Sequence, residues 1–210
     1  MNFLAHTLLS GSSPEVTVGN LCADFIKGRA RRALPAGMQA GFALHQRIDF
    51  VTDTHPAVAA AAALIEPRWG RYAPVLLDVY FDHLLAADFA QYHAEPLERY
   101  ASATYDLLRR HRHLLPPHAQ LATDYMVRQD WLGSYATHAG IALAFARMSR
   151  RLKHGIDLAP AIDDLAAHHA AIAGHFTLFW PELHAAAAGC RRELESSEPP
   201  RHQDTRDALV

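Results

Sequence analysis

The amino-acid sequence predicts an all-α, single-domain helical bundle, and three observations carry that expectation. Alanine and leucine dominate a chain of 210 residues, half of them hydrophobic, which suffices for one sizeable core. The β-branched alternation that marks strands is scarce. Prolines stand where helices begin, since the first helical position has no internal hydrogen bond for a missing N–H to break.

Taken in order, Pro35 opens a helix over residues 35–53, and Thr54 sits where it can cap the next, which Pro56 opens over residues 56–66. Residues 72–92 form another helix with Pro74 in its first turn, where a missing donor is tolerated. Pro96 starts a helix over residues 96–112. Pro160, preceded by Asp157 in a capping position, starts one over residues 160–181. Near its end the chain turns polar and proline-rich, so the domain spans residues 1–190 and residues 191–210 read as a frayed helix end and a mobile tail.

Composition excludes several classes. A formal charge of -2 gives no global basic field, so broad electrostatic binding to nucleic acid is not expected. Two cysteines, Cys22 and Cys190, build no disulfide framework and no CxxC motif, which fits a reducing compartment. The N-terminus lacks the basic start and apolar run of a secretory signal, and the longest apolar stretch, residues 57–65, is far short of the roughly 20 residues that span a bilayer. A soluble cytoplasmic protein without a membrane partner is expected.

The chemistry concentrates in the first ninety residues. In GFALHQRIDFVTD, His45, Asp49 and Asp53 recur every four residues, so on a helix they form a polar stripe within an arc of roughly 80°. Two further sets stand nearby: Asn20, Asp24 and Lys27 in GNLCADFIKG, and Asp78, Asp82 and His83 in LLDVYFDHLL. Carboxylates and imidazoles among Leu, Phe, Val and Ala cost free energy unless paired, hydrogen-bonded or bound to metal. His45 and Asp53 are separated by about 12 Å of helix rise, too far to share one ion whose ligand bonds are roughly 2.0 to 2.6 Å.

These residues suit metal-assisted phosphodiester hydrolysis, in which a divalent ion acidifies a bound water and neutralises phosphate charge. Neither a GxSxG elbow nor a P-loop is present. The mixed oxygen and nitrogen donors suit manganese, iron or magnesium better than a thiolate zinc site. His6, Asp24, Asp78, Asp82 and His83 are the expected ligands and their supports. His45 and Asp49 are the catalytic candidates, with Lys27 or Arg47 near the phosphate. Plain structural roles compete: ion pairs or caps for Asp24, Asp49 and Asp82, packing for His6 and His45, a salt bridge to Asp24 for Lys27, and a buried apolar role for Cys22. Arg47 lies about 160° from His45 on a helical wheel, off the stripe.

Four motifs in order, MNFLAH at residues 1–6, GNLCADFIKG at 19–28, HQRIDFVTDTHP at 45–56 and LDVYFDHLLA at 77–86, carry a resemblance. Through them the chain resembles the acyl carrier protein phosphodiesterase family, itself similar to the HD-type metal phosphohydrolases; beyond residue 90 only QDWLGSY at 129–135 adds to the match. The resemblance implies an HD-like helical architecture, manganese, and hydrolysis of the bond between 4'-phosphopantetheine and the serine of acyl carrier protein. HD enzymes use a His-Asp doublet. Here Asp82-His83 has the opposite order and no His-Asp dipeptide exists, so their ligand scheme does not transfer.

Acyl carrier proteins are acidic, so the implied partner calls for a local basic surface. Arg29, Arg31 and Arg32 follow Asp24 closely; Arg147, Arg150, Arg151 and Lys153 form a second candidate. Two other functions stay open: a phosphohydrolase of nucleotides or other small phosphoesters, and a non-enzymatic helical scaffold.

Overall fold

The computed structural model describes residues 1–152 and 155–197, which are almost entirely helical, with no strand among them. The first half comprises α1 (Phe3–Leu8), α2 (Pro14–Cys22), α3 (Arg29–Arg32), α4 (Ala36–Thr54), α5 (Pro56–Ala63), α6 (Glu66–Trp69) and α7 (Ala73–Ala87). The second comprises α8 (Leu97–His111), α9 (Pro117–Arg128), α10 (Trp131–Ser134), α11 (His138–Ser149), α12 (Ala161–Ala167) and α13 (His169–Ser197). No helix among the described residues is long and apolar enough to cross a membrane.

The proline rule holds for α4, α5, α7 and α8, with Pro35 and Pro96 one residue outside their helices. Other expected bounds do not hold: the helix over residues 160–181 is split at His168 into α12 and α13, and the one over residues 72–92 ends at Ala87. Pro181 lies inside α13 instead of ending it, because that helix is held along its length by packing on α4 and α5, and tertiary contact outweighs an interior proline's penalty of roughly 3 kcal/mol. The expected helix over residues 56–66 stops at Ala63, and α6 begins anew at Glu66. The cap of α5 is not Thr54, whose hydroxyl turns back to Phe50 O, but His55, whose Nδ1 accepts from Ala57 N–H. Helix α13 reaches Ser197, into the stretch read as a tail; residues 198–210 lie outside the described residues.

Two glycines let α2 and α4 approach closely. A Cβ on Gly19 would lie 2.2 Å from Met38 O, and one on Gly41 would lie 2.3 Å from Val16 O, so only glycine lets α2 and α4 meet backbone to backbone. That contact carries Asn20 of α2 against His45 of α4. Nearly all of α7 is buried, and it runs beneath α1. Phe81 of α7 packs against Phe176 and Phe179 of α13 at ring distances of 5.0 and 5.7 Å, closing the core on the far side.

Candidate metal centre

Three helical segments converge where α1, α2 and α4 cross. His6 comes from α1, His45 and Asp49 from successive turns of α4, and Asp24 from a single 3-10 turn, Ala23–Phe25, that follows α2. Helix α2 ends at Cys22, and the turn that follows places the Asp24 carboxylate against His45 of α4. His6 Nε2 lies 3.2 Å from Asp49 Oδ1, and His45 Nε2 lies 3.1 Å from Asp49 Oδ2 and 3.5 Å from Asp24 Oδ1. The imidazoles stack, with centroids 4.1 Å apart.

Asn20 orients both rings. Its amide nitrogen donates to His6 O and Ser10 Oγ, so its Oδ1 faces His6 Nδ1 at 2.8 Å and must accept a hydrogen bond from it. Its backbone carbonyl accepts from His45 Nδ1 at 3.0 Å. With both Nδ1 atoms committed as donors, a neutral ring presents the Nε2 lone pair to the cluster, the tautomer that ligates metal.

This arrangement fits a divalent ion. His6 Nε2 is buried without a hydrogen-bond partner: the 3.2 Å approach to Asp49 has ion-pair distance but the wrong direction for a hydrogen bond. Burial, helped by the neighbouring His45, pushes the His6 pKa down against the opposing pull of Asp49, so a proton there is disfavoured. A lone pair facing a carboxylate needs a cation between them. Donor atoms roughly 3 Å apart are what bonds of about 2.1 Å at near-tetrahedral or octahedral angles require. The donors of His6, His45 and Asp49 all lie within 4.8 Å of one another.

Electrostatics differ at His45, where an ion has to displace a proton. Burial depresses its pKa, but Asp24 and Asp49 outweigh that and hold it at about 9. Asp49 resists burial through the two imidazoles and titrates well below the usual carboxylate range; Asp24 is lowered by its contact with His45. Both stay anionic at neutral pH.

The remaining expected site residues are elsewhere. Asp82 is fully buried, and its two oxygens accept from Leu4 N–H at 2.7 Å and Ala5 N–H at 3.1 Å, capping α1. His83 donates through Nδ1 to Tyr135 O and packs on Tyr80 and His138. Asp78 holds the Met1 ammonium at 2.9 Å. None of the three joins the His6–His45–Asp49 group, because α7 offers them to the end of α1 and to α10, not to α4. Lys27 is exposed three residues beyond Asp24. Arg47 is exposed and lies over the Phe50 ring, off the stripe as the helical wheel requires. Arg31 turns inward and donates to Ile26 O at 2.6 Å and Ala23 O at 2.8 Å, locking the Asp24 turn instead of offering charge outward; Arg29 and Arg32 are exposed. Cys22 is buried, its thiol pushed up to about 12, and is no nucleophile.

Sequence reasoning gave Asn20 no role, although its spacing of four from Asp24 placed it on the same side of the motif. It also left unread a cavity of about 220 Å³ that Asp24 borders, with Phe3, Trp131 and Arg147 among its other walls.

Comparison with known proteins identifies relatives of the chain. The family model for acyl carrier protein phosphodiesterase matches residues 1–183. Proteins named acyl carrier protein phosphodiesterase from Photorhabdus laumondii and Enterobacter sp. are each 32% identical over 184 residues, covering 87% of this chain and 93% and 95% of theirs. The protein of that name from Escherichia coli is 31% identical over 189 residues, covering 90% of this chain and 98% of its own. No solved structure matches. A family-model match over residues 1–183, with relatives above 30% identity along almost the whole length, means that the chain belongs to the acyl carrier protein phosphodiesterase family.

Proposed function

We propose that this protein hydrolyses the phosphodiester joining 4'-phosphopantetheine to the serine of acyl carrier protein, releasing the apo-protein, with a divalent ion held by His6, His45 and Asp49. The observation that carries the reading is the orphaned His6 Nε2 facing Asp49 beside a second imidazole whose Nδ1 is likewise committed. Family membership supports the substrate, since the relatives bear that activity in their name. The bound ion supplies Lewis-acid charge for attack of water on phosphorus. Two imidazoles and a carboxylate favour manganese or iron over magnesium, which prefers oxygen ligands, and manganese is our assignment.

The chain's own residues do the rest. Asn20 fixes both ring tautomers, and Asp49 bridges the rings. Asp24, anionic and largely exposed at the rim, is positioned to accept the proton of the attacking water at Oδ1. Lys27 is the cation nearer in sequence to that rim and the candidate for the phosphate. The two free cysteines are consistent with a reducing, cytoplasmic setting.

Holo-acyl carrier protein incubated with the manganese-loaded enzyme should lose the mass of the phosphopantetheine group, and a chelator should stop the loss until manganese is restored. Hydrolysis of nucleotides or simple phosphomonoesters with the carrier protein left intact would move the assignment to small phosphoesters.

A further inference from the structure

The cavity beside the candidate centre has no role in binding the ion, yet it shares a wall with it. Asp24 stands 3.5 Å from His45 Nε2 on one side and borders the cavity on the other. From there the cavity runs between α1, α7, α10 and α11, a volume of about 220 Å³. Phe3 ties its wall to the Asp24 turn by stacking on Phe25 at 5.7 Å and lies against Trp131 at 5.6 Å. Val75, Val79 and Met148 extend the apolar lining.

The charges are distributed unevenly. At the end nearest the centre stand Asp24 and the Met1–Asp78 ion pair. Arg147 of α11 and Arg151, two residues beyond that helix, also line the cavity. Arg147 is fixed: its guanidinium lies 5.0 Å over the Trp131 ring and donates to Gln129 Oε1 at 2.9 Å and to Leu143 O at 3.2 Å. The part of the substrate that stays on phosphorus and extends past Asp24 must therefore carry no negative charge of its own at that end. A nucleotide, with further phosphates or a ribose-phosphate, meets repulsion there. A neutral chain that pairs methyl groups with amide and hydroxyl oxygens meets apolar walls first and arginine donors beyond, the usual composition of a selective small-ligand pocket.

We propose that this cavity is the binding channel for the pantetheine arm carried by acyl carrier protein, with Trp131 and Val75 as specificity-determining walls and Arg147 as the donor to an amide or hydroxyl oxygen. The proposal rests on the functional reading above and deepens it. Binding of the arm remote from phosphorus is the energy that holds the diester against the centre, so losing it lowers turnover as well as affinity.

The test compares holo-acyl carrier protein with bis(p-nitrophenyl) phosphate, a diester lacking the arm. Val75 is partly exposed, so Val75→Trp can fill the cavity without disturbing the core. It should lower kcat/KM for the carrier protein by about tenfold or more relative to the small diester, and Trp131→Ala should shift the ratio the same way. An unchanged ratio in both variants overturns the proposal. Pantetheine alone supplies a readout without turnover: it should quench wild-type tryptophan fluorescence, and the quench should vanish in Trp131→Phe. No quench, or one that persists in Trp131→Phe, places the arm elsewhere. A protein that binds pantetheine at Trp131 yet leaves holo-carrier protein intact keeps the channel and breaks the functional reading.

Discussion

Helices α4 and α7 carry nearly the same polar pattern and put it to opposite uses. Each sets acidic residues four apart with a histidine close by, inside an apolar helix. On α7 every such group is satisfied by the protein itself: Asp82 by two N–H groups of α1, Asp78 by the Met1 ammonium, His83 by Tyr135 O. On α4, His45 and Asp49 face another imidazole, and the neighbouring His6 Nε2 has no hydrogen bond. Spacing therefore identifies polar residues held in a core. What separates a scaffold from a site is whether the partners are already complete.

The sharpest way to break that distinction is to remove one carboxylate from each helix and read activity and stability together. Asp49→Asn should lower turnover by about a thousandfold or more, equivalent to roughly 4 kcal/mol of transition-state stabilisation, and should empty the site of metal while the melting temperature changes little. Asp82→Ala should do the reverse. It leaves two buried N–H groups without acceptors at the start of α1, a loss of about 2–4 kcal/mol in stability, with metal still bound by whatever fraction remains folded. Parallel urea titrations and metal analysis of the two variants decide the matter. If Asp82→Ala melts normally but purifies without metal, α7 belongs to the site after all.

Asp82 also gives stability a pH dependence of definite sign. Burial raises its folded-state pKa from the ordinary 3.8 to about 7 against the pull of the Leu4 and Ala5 amides. The folded state thus binds the proton more tightly than the unfolded chain, so this group's contribution is full below 3.8 and is lost as pH rises to about 7. Asp82→Asn cannot titrate and should flatten that slope in melts taken across the range. On α4 the effect is opposite in kind: metal-free His45, held at about 9, is protonated at pH 7 and must release a proton when an ion binds. Calorimetry in buffers of differing ionisation enthalpy should report about one proton released near neutrality and none well above pH 9.

Much of the fold was legible because helix period and proline position are local properties. The α4 stripe was read correctly in phase, and Asp53 falls outside the cluster as helix rise requires. What local pattern does not carry is the partner. Nothing in LLDVYFDHLL reveals that the N-terminus of α1 will sit over Asp82. Nothing in the sequence around Arg31 reveals that its guanidinium will close on the carbonyls of Ala23 and Ile26. Pro181 failed as a stop signal for the same reason, since contacts with α4 and α5 decide it. Asn20 stands in the polar set of GNLCADFIKG without a role there, because its importance lies in two hydrogen bonds to residues 14 and 25 positions away.

Asn20 offers a finer cut of the comparison, since it touches the rings and not the ion. Asn20→Ala should weaken metal affinity by about 10- to 100-fold through loss of the His6 tautomer restraint, while the His45 restraint, made by the backbone carbonyl, survives. Competition against a chelating dye measures this. An affinity within twofold of wild type would mean that the His6 orientation is set by packing alone.

The smallest effect concerns the carrier protein's approach. Arg31 is committed to the Asp24 turn, so reversing it should damage fold and activity toward every substrate, and it cannot report on docking. Arg29 and Arg32 are exposed, as is Arg151 beside the cavity, and these can. Charges at the rim of a contact mainly raise the encounter rate, and their influence is confined to about 8 Å at 0.15 M salt. Arg151→Glu should therefore lower kcat/KM for holo-carrier protein by only a few-fold at low salt, with the deficit shrinking as salt rises, and Arg29→Glu with Arg32→Glu should do less if the arm enters from the α11 side. A larger, salt-dependent loss at Arg29 and Arg32 than at Arg151 would set the acidic partner over α3, and the arm would then have to reach the centre past the Asp24 turn instead of along α11.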